Sequence, residues 1–303
     1  MTMTLLRKCD IPYDCSRPAE VPQSGRVNII GAGFDGTACF RKGAASGPDA
    51  IRRVSADIES YSPYLDRDLA DFAFHDLGNL AIDISGEAEQ DWRVLHAKFL
   101  TLLDTAAPAR SRARLLTLGG EHSVSYPVIA RYLTDFPDLL LLHLDAHADL
   151  RDGYEGHHYS HAAVIRRCLD HFGAGHGLIQ FGIRSGTREE YLWMRENRTL
   201  CNSLPQFLSM LQQVPPTRPL YLTLDLDYFD PAFLPGTGTP EAGGEDFHSF
   251  VSVIKSLQGK NLVGADVVEL APAIDPTGNS AVFAAKVVRE LIMTLHGEED
   301  HGR

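Results

Sequence analysis

Six side chains in three short segments set the chemical problem. They are His122 in LLTLGGEHSV, Asp145, His147 and Asp149 in LLLLHLDAHADLRD, and Asp225 and Asp227 in LTLDLDYFDPAF. Each segment is an apolar run that ends in groups able to bind a metal. On a β-strand, side chains two residues apart share a face. Asp145 and His147 form such a pair, Asp149 continues the spacing as the chain leaves the strand, and Asp225 with Asp227 repeats it. Ligands of open α/β sheets bind beyond the carboxyl ends of the strands, so all three segments can deliver their polar groups to one rim. Taken singly, each group has a plain explanation. His122 can be a satisfied core or surface histidine, and the paired aspartates can cap strand ends or form turns. Taken together, four aspartates crowded at a dry sheet edge would be forced to protonate unless cations lie among them.

Charge counting sharpens the reading. Four aspartates carry four negative charges, which two divalent cations balance; a hydroxide between the cations then leaves one negative charge for a monocationic group to neutralise. Six side chains, with two aspartates bridging, suit two metals about 3.5–4 Å apart. The donor set is rich in oxygen, with one imidazole per metal and no thiolate. That favours Mn²⁺, with Ni²⁺, Co²⁺ and Zn²⁺ also able to bind. Such a pair lowers the pKa of a bridging water, which points to metal-assisted hydrolysis.

These groups need a scaffold. Short apolar runs at 27–33, 72–79, 115–120, 139–147, 178–184, 220–227 and 262–270 read as strands buried on both faces, the mark of a parallel sheet covered by helices. Helical spacing occupies 86–107, 124–134, 187–197, 244–257 and 279–296. The alternation predicts one α/β domain over 26–303, preceded by a loosely packed N-terminal arm over 1–25. The Pro- and Gly-rich stretch PAFLPGTGTPEAGG (231–244) reads as a long functional loop. GAGFDG (31–36) spells a dinucleotide-binding fingerprint, but two more glycines and Pro48 follow before a helix can start near Ser46 or Gly47. The glycines are therefore expected to form a loop at a strand end, and no dinucleotide.

The net charge of −12 argues against a nucleic-acid partner and weakly favours a cationic substrate. Cys9, Cys15, Cys39, Cys168 and Cys201 make no CxxC pair, which fits free thiols in a reducing compartment. Neither a signal-like start nor a membrane-spanning run is present, so a cytoplasmic protein without membrane association is expected.

The segments GGEHSVSYP, LDAHADLRDGYEG, YSHAAVIRR, FGIRSGTREE, LTLDLDYFDPAFLPGTGTPEAGG and GADVVELAPAIDPTG occur in that order. Together they resemble the ureohydrolases, the arginase–agmatinase family, and look most like its bacterial-type agmatinases. The resemblance runs from about Val27 to about Leu295. It implies a three-layer α/β/α fold around a largely parallel eight-stranded sheet. It implies two Mn²⁺ ions, one held by His122, Asp145, Asp149 and Asp225, the other by Asp145, His147, Asp225 and Asp227. It further implies His161 as a proton shuttle, Glu269 as the guanidinium-binding carboxylate, and a homo-oligomer, a trimer or hexamer.

The implied reaction is cleavage of agmatine to putrescine and urea. Guanidinobutyrate, guanidinopropionate, free guanidine or arginine would use the same metals. The loop after Asp149 reads LRDGYEGHHYS and lacks the asparagine with which arginases take an α-amino acid, while Asp152 and Glu155 give it an acidic rim suited to an ammonium. Asp152 can equally pair with Arg151 or Arg166, and Arg151 and Arg184 are the cations that a carboxylate tail would require. Ala162-Ala163 and Tyr228-Phe229 depart from the family's usual residues and are expected to reshape the pocket wall. A zinc amide hydrolase of the histone-deacetylase type would share the general fold but hold a single metal, with no need of Asp149 and Asp227.

Overall fold

A computed structural model describes residues 4–297. Its strands are β1 (Leu6–Arg7), β2 (Arg17–Pro18), β3 (Val27–Ala32), β4 (Tyr61–Ser62), β5 (Arg67–Asp68), β6 (His75–Leu80), β7 (Arg114–Gly119), β8 (Leu140–Leu144), β9 (Gly177–Phe181), β10 (Leu200–Cys201), β11 (Leu220–Asp225) and β12 (Leu262–Val268). The helices are α1 (Gly47–Ser55), α2 (Ala88–Ala106), α3 (Pro108–Ser111), α4 (Tyr126–Asp135), α5 (Val164–Leu169), α6 (Arg188–Asn197), α7 (Leu204–Gln213), α8 (Phe247–Leu257) and α9 (Asn279–His296). None of these helices is long and apolar enough to cross a membrane.

A continuous parallel ladder runs β6-β3-β7-β12-β11-β8-β9-β10. The short β1 and β2 add to the outer edge of β6, antiparallel and parallel respectively, so the sheet has ten strands where eight were expected. β4 and β5 pair apart from it. Successive residues of a strand feed opposite cores. Leu140, Leu142 and Leu144 pack with residues of α1, α7, α8 and α9, whereas Leu139 and Leu141 pack with residues of α2, α4, α5 and α6. That alternation makes the three layers.

The N-terminal segment is held more closely than its polar composition suggests. Tyr13 is 1% exposed; its hydroxyl donates to the Ala285 carbonyl and its amide to Asp76. Single anchors of this kind have no period for sequence reading to detect.

The GAGFDG stretch opens no helix, as its later glycines indicated. β3 ends at Ala32 and α1 begins only at Gly47, with Pro48 in its first turn. The loop instead braces the Gly119-Gly120 turn: Gly120 N donates to Ala32 O and Glu121 N to Phe34 O. A Cβ at residue 120 would meet Phe34 O at 2.0 Å, so this close approach requires glycine.

One feature of the sheet was not expected. Thr117, Asp266, Thr223, His143 and Gln180 pair in register across β7, β12, β11, β8 and β9, and all five are fully buried. A polar row therefore crosses the middle of an otherwise apolar sheet. Asp145 and Asp225 lie two residues further along their strands from His143 and Thr223, on the same face.

Candidate metal centre

The six residues singled out by spacing converge at the carboxyl ends of β7, β8 and β11. His122 opens a short 3₁₀ turn after β7, Asp145 follows β8 directly, and Asp225 is the last residue of β11. Strand alternation alone does not fix the paired residues, because regular pairing ends at Leu144 and Asp225 and beyond it His147 keeps only an isolated bridge to Ser185. Each aspartate instead accepts the amide two residues on, His147 N to Asp145 Oδ1 at 2.6 Å and Asp227 N to Asp225 Oδ1 at 2.8 Å. These are Asx-type turns, which offer the backbone a side-chain partner where the ladder stops. Ala146 N donates to Asp227 Oδ1 at 3.1 Å and ties the two turns together.

His122 Nδ1 lies 3.0 Å from Asp145 Oδ2, 3.0 Å from Asp149 Oδ2 and 3.4 Å from Asp225 Oδ2. His147 Nδ1 lies 2.9 Å from Asp227 Oδ2 and 3.6 Å from Asp145 Oδ1. Asp145 thus presents one oxygen to each group. Donor atoms of His122, Asp145 and Asp149 with His143, and of Asp145, His147 and Asp227, lie within 4.8 Å of one another in each set.

The donor set fits divalent cations. His122 Nδ1 is buried and makes no hydrogen bond, although three carboxylates surround it. An imidazole nitrogen aimed at a shared point between carboxylates is what an ion there would require. The electrostatics agree. Burial, and then the charges of Asp227 and Asp145, drive Asp225 well above the usual carboxylate range. Burial followed by the Asp145 charge pushes Asp149 up to about 6. For His147 burial acts downward, but Asp227 and Asp145 outweigh it and hold the imidazole high; for His122 burial is likewise outweighed, by Asp145, Asp149 and Asp225. Without cations, protons must do the balancing.

The polar row supports this cluster from below. His122 Nε2 lies 2.8 Å from Thr223 Oγ1, and the Thr223 hydroxyl donates to Asp266 Oδ1 at 2.7 Å. On the other side the Thr199 hydroxyl donates to Gln180 Oε1, Gln180 Nε2 donates to His143 Nδ1 at 3.1 Å, and His143 Nε2 lies 2.8 Å from Asp145 Oδ2. That chain leaves the His143 proton on Nε2, donated to Asp145, so His143 supports a carboxylate of the cluster rather than offering a lone pair of its own. Sequence reading assigned no role to Asp266 and passed over Thr223, His143 and Gln180. The available signal was a lone polar residue interrupting each apolar run.

A cavity of about 250 Å³ opens over the cluster, lined by His122, His147, Asp149, His161, Asp225 and Glu269 among others. Glu269 follows β12 and is 7% exposed; its Oε1 accepts His122 N at 2.7 Å. Burial, with the charge of Glu121 next, pushes its carboxyl well above the usual range, as suits a group awaiting a cationic partner. Both Asp149 (φ 54°) and Glu269 (φ 69°) hold left-handed backbone, a strain that concentrates at functional sites. His161 starts a 3₁₀ turn capped by Ser160. Its Nδ1 lies 3.2 Å from Ser160 Oγ and 3.4 Å from Thr37 Oγ1, and its Nε2 lies 3.5 Å from Cys39 Sγ. The Thr37 hydroxyl bonds to Glu121 of the GGEH turn, a connection that sequence spacing gave no means of finding. Burial, then the positive His147 and His122, lowers His161 to about 4.

Three expectations change. Asp152 pairs with neither Arg151 nor Arg166 but with Arg167, at 2.5 Å. Arg184 is no rim cation: it donates to the carbonyls of Gly182, Asp227, Tyr228, Phe229 and Glu241 and holds a loop in place. Tyr228 and Phe229 do not form the pocket wall. They are buried in the core, Tyr228 against Phe181 and Phe229 against Phe250, because their position after the Asp227 turn faces inward. Ala162 and Arg151 do line the cavity.

The likeness to known proteins agrees with this geometry. The agmatinase of Bacillus cereus is 39% identical over 278 residues, covering 89% of this chain and 92% of that protein. The agmatinase of Bacillus subtilis is 38% identical over 270 residues, covering 88% and 90%. Among solved structures, the proclavaminate amidino hydrolase of Streptomyces clavuligerus superposes with a TM-score of 0.82 at 25% identity, covering 95% of this chain and 98% of that one. A model of the Arginase family matches residues 25–294, and with relatives this similar across nearly their whole length, the chain belongs to the arginase family.

Proposed function

We propose that the protein is a binuclear-metal amidinohydrolase that cleaves agmatine to putrescine and urea. The observation that carries this reading is Asp145, whose two oxygens serve two donor groups beneath one cavity, with the buried carboxylate of Glu269 at its edge. Manganese is the proposed ion, from the oxygen-rich donor set. His122, Asp145, Asp149 and Asp225 would hold one ion, and Asp145, His147, Asp225 and Asp227 the other. A pair of divalent cations, when bound, supplies deprotonated water at neutral pH and Lewis acidity for the developing charge.

The chain's own residues do the rest. Glu269 takes the guanidinium through paired hydrogen bonds, the geometry that guanidinium and carboxylate share. This presents the guanidinium carbon to the cluster and fixes its orientation. The oxygen of water becomes the urea oxygen, and the bond from carbon to the alkyl-bearing nitrogen breaks. That nitrogen must take a proton to leave as the amine, and we assign this transfer to His161, whose contacts with Thr37 and Ser160 and position in the cavity lining support the role. The agmatinase relatives support agmatine as substrate, and the family resemblance supports a trimeric or hexameric assembly.

The test is urea release by Mn²⁺-loaded protein against agmatine, arginine, guanidinobutyrate and guanidine, with agmatine expected to be turned over best. Asp145→Ala and Asp227→Ala are each expected to abolish urea production while circular dichroism remains that of the folded protein. Unchanged turnover in either variant would remove the two-metal mechanism.

A further inference from the structure

The loop from Gly238 to Glu241 runs along the site from its closed end to its open end. A Cβ built on Gly238 would lie 3.9 Å from Glu269 Oε2. Thr239 lines the cavity, with its hydroxyl 3.5 Å from Asp227 Oδ2. Glu241 stands just beyond the lining, with Oε1 3.9 Å from His147 Nε2 and its side chain 42% exposed. Three residue steps separate Gly238 from Glu241, a reach of at most about 10 Å. One carboxylate, Glu269, therefore closes the inner end and a second, Glu241, stands at the mouth.

Glu241 is held for this position by its backbone and left free at its carboxylate. Arg184 donates to the Glu241 carbonyl from Nη2 at 2.9 Å and from Nε at 3.3 Å. Just beyond, Asp230 accepts the amides of Gly243 and Gly244 at 2.7 and 3.0 Å. Among the described residues no donor bonds to the Glu241 carboxylate, and its nearest cationic group is the His147 ring. Of the other acids near the mouth, Asp152 is engaged by Arg167 and Glu190 by the amides of Leu150 and Thr187, while the charge of Glu155 acts on Cys39 in the lining and leaves Glu155 a second acid on the rim. Arg151 lies over the Tyr154 ring at 4.8 Å and lines both this cavity and a neighbouring groove that it shares with Asp152, Glu189 and Glu190.

We infer that Glu241 recognises the distal ammonium of the substrate and so selects guanidines with a cationic tail. Agmatine carries positive charge at both ends, and when extended its four methylenes hold the ammonium about 6 Å from the alkyl-bearing nitrogen and roughly 8 Å from the outer guanidinium nitrogens that Glu269 would take. With its guanidinium at Glu269, its ammonium reaches the mouth, where a carboxylate–ammonium hydrogen bond forms without displacing an existing partner. An anionic tail meets repulsion there. The inference rests on the proposed amidine hydrolysis and adds the residue that reads the tail.

The test compares Mn²⁺-loaded wild type, Glu241→Gln and Glu241→Asp on agmatine and on n-pentylguanidine, in which a methyl group replaces the ammonium. In Glu241→Gln the agmatine-to-pentylguanidine ratio of kcat/KM is expected to fall about tenfold or more, the scale of one charge-assisted hydrogen bond. The fall should appear in KM for agmatine more than in kcat, and Glu241→Asp should recover part of it. An unchanged ratio overturns the inference. So does an equal loss on both substrates with weakened Mn²⁺ affinity, which would make Glu241 a support for His147. Wild type that cleaves neither compound overturns the parent reading as well, whereas wild type that cleaves agmatine separates the two.

Discussion

At the scale of single residues, the cluster depends on how its imidazoles are turned. A metal-binding histidine must keep its proton on the nitrogen facing away from the ion, and the partner of that nitrogen decides this. For His122 the partner is Thr223 Oγ1, oriented in turn by Asp266, which also accepts the Tyr221 hydroxyl at 2.9 Å. Thr223→Val and Asp266→Asn are expected to weaken Mn²⁺ binding about 10–100-fold, read by calorimetric titration, with much of the urea-forming activity returning at saturating metal. Affinity that stays at the wild-type value would show the row to be mere core packing. This layer also marks the limit of what the sequence could say. The convergence of His122, Asp145, His147, Asp149, Asp225 and Asp227 was legible because groups of these types stand at the ends of apolar runs. Thr223, His143 and Gln180 are isolated polar residues inside such runs, and only the register of five strands brings them into a row.

At the scale of elements, the loop after β11 and the start of α9 are coupled. Asp275 accepts the amide and hydroxyl of Ser280 at 2.8 and 2.6 Å, and those of Thr277 at 3.0 and 2.6 Å. Burial acts to raise its pKa, but these bonds outweigh it and lower the carboxyl to about 2. Ser280 Oγ accepts Gly236 N at 2.9 Å, so the same knot pins the loop that carries Thr239 and Glu241. Asp275→Ala is expected to cost about 1–2 kcal/mol in denaturant unfolding, as loss of a helix-start carboxylate does. Amide exchange should quicken over 231–244 ahead of the rest of the molecule; exchange confined to α9 would show the two elements to be independent. The strong periodic elements were readable: α2, α4, α6 and α9 begin and end within two residues of their expected spans. α8 starts at Phe247, later than expected, because the Asp246 carboxylate accepts Ser249 N and fixes the start there. α5, α7 and β10 were not foreseen, since short elements made stable by packing carry little pattern of their own.

At the scale of the whole molecule, two cores clamp one sheet while the acids of the site concentrate at its edge, and that imbalance makes stability depend jointly on pH and metal. Burial lifts Glu121 to about 7, with Asp149 at about 6 and Asp225 and Glu269 held higher than usual carboxylates. Between about pH 4 and those values the folded state binds more protons than the unfolded chain does. The raised imidazoles of His122 and His147 add protons to the folded state above about pH 6.5. Asp145, pushed up by burial but held low by His143, acts in the opposite sense below about pH 4, and the lowered imidazoles of His161, His75 and His96 do so up to about pH 6.5. Where the folded state holds the extra protons, stability falls as pH rises. Divalent cations need the same groups deprotonated and take the protons' place. Metal-free protein is therefore expected to lose Tm most steeply above about pH 6.5, where the raised groups act unopposed. Mn²⁺-loaded protein should lose far less, because each bound ion adds about 2.7 kcal/mol at a hundredfold excess over its Kd. Scanning calorimetry with and without chelator should show a gap in Tm that widens with pH, and titrations in buffers of different ionisation enthalpy should show protons released on Mn²⁺ binding near pH 7. A gap that narrows as pH rises, or binding without proton release, would mean that cations do not balance these carboxylates.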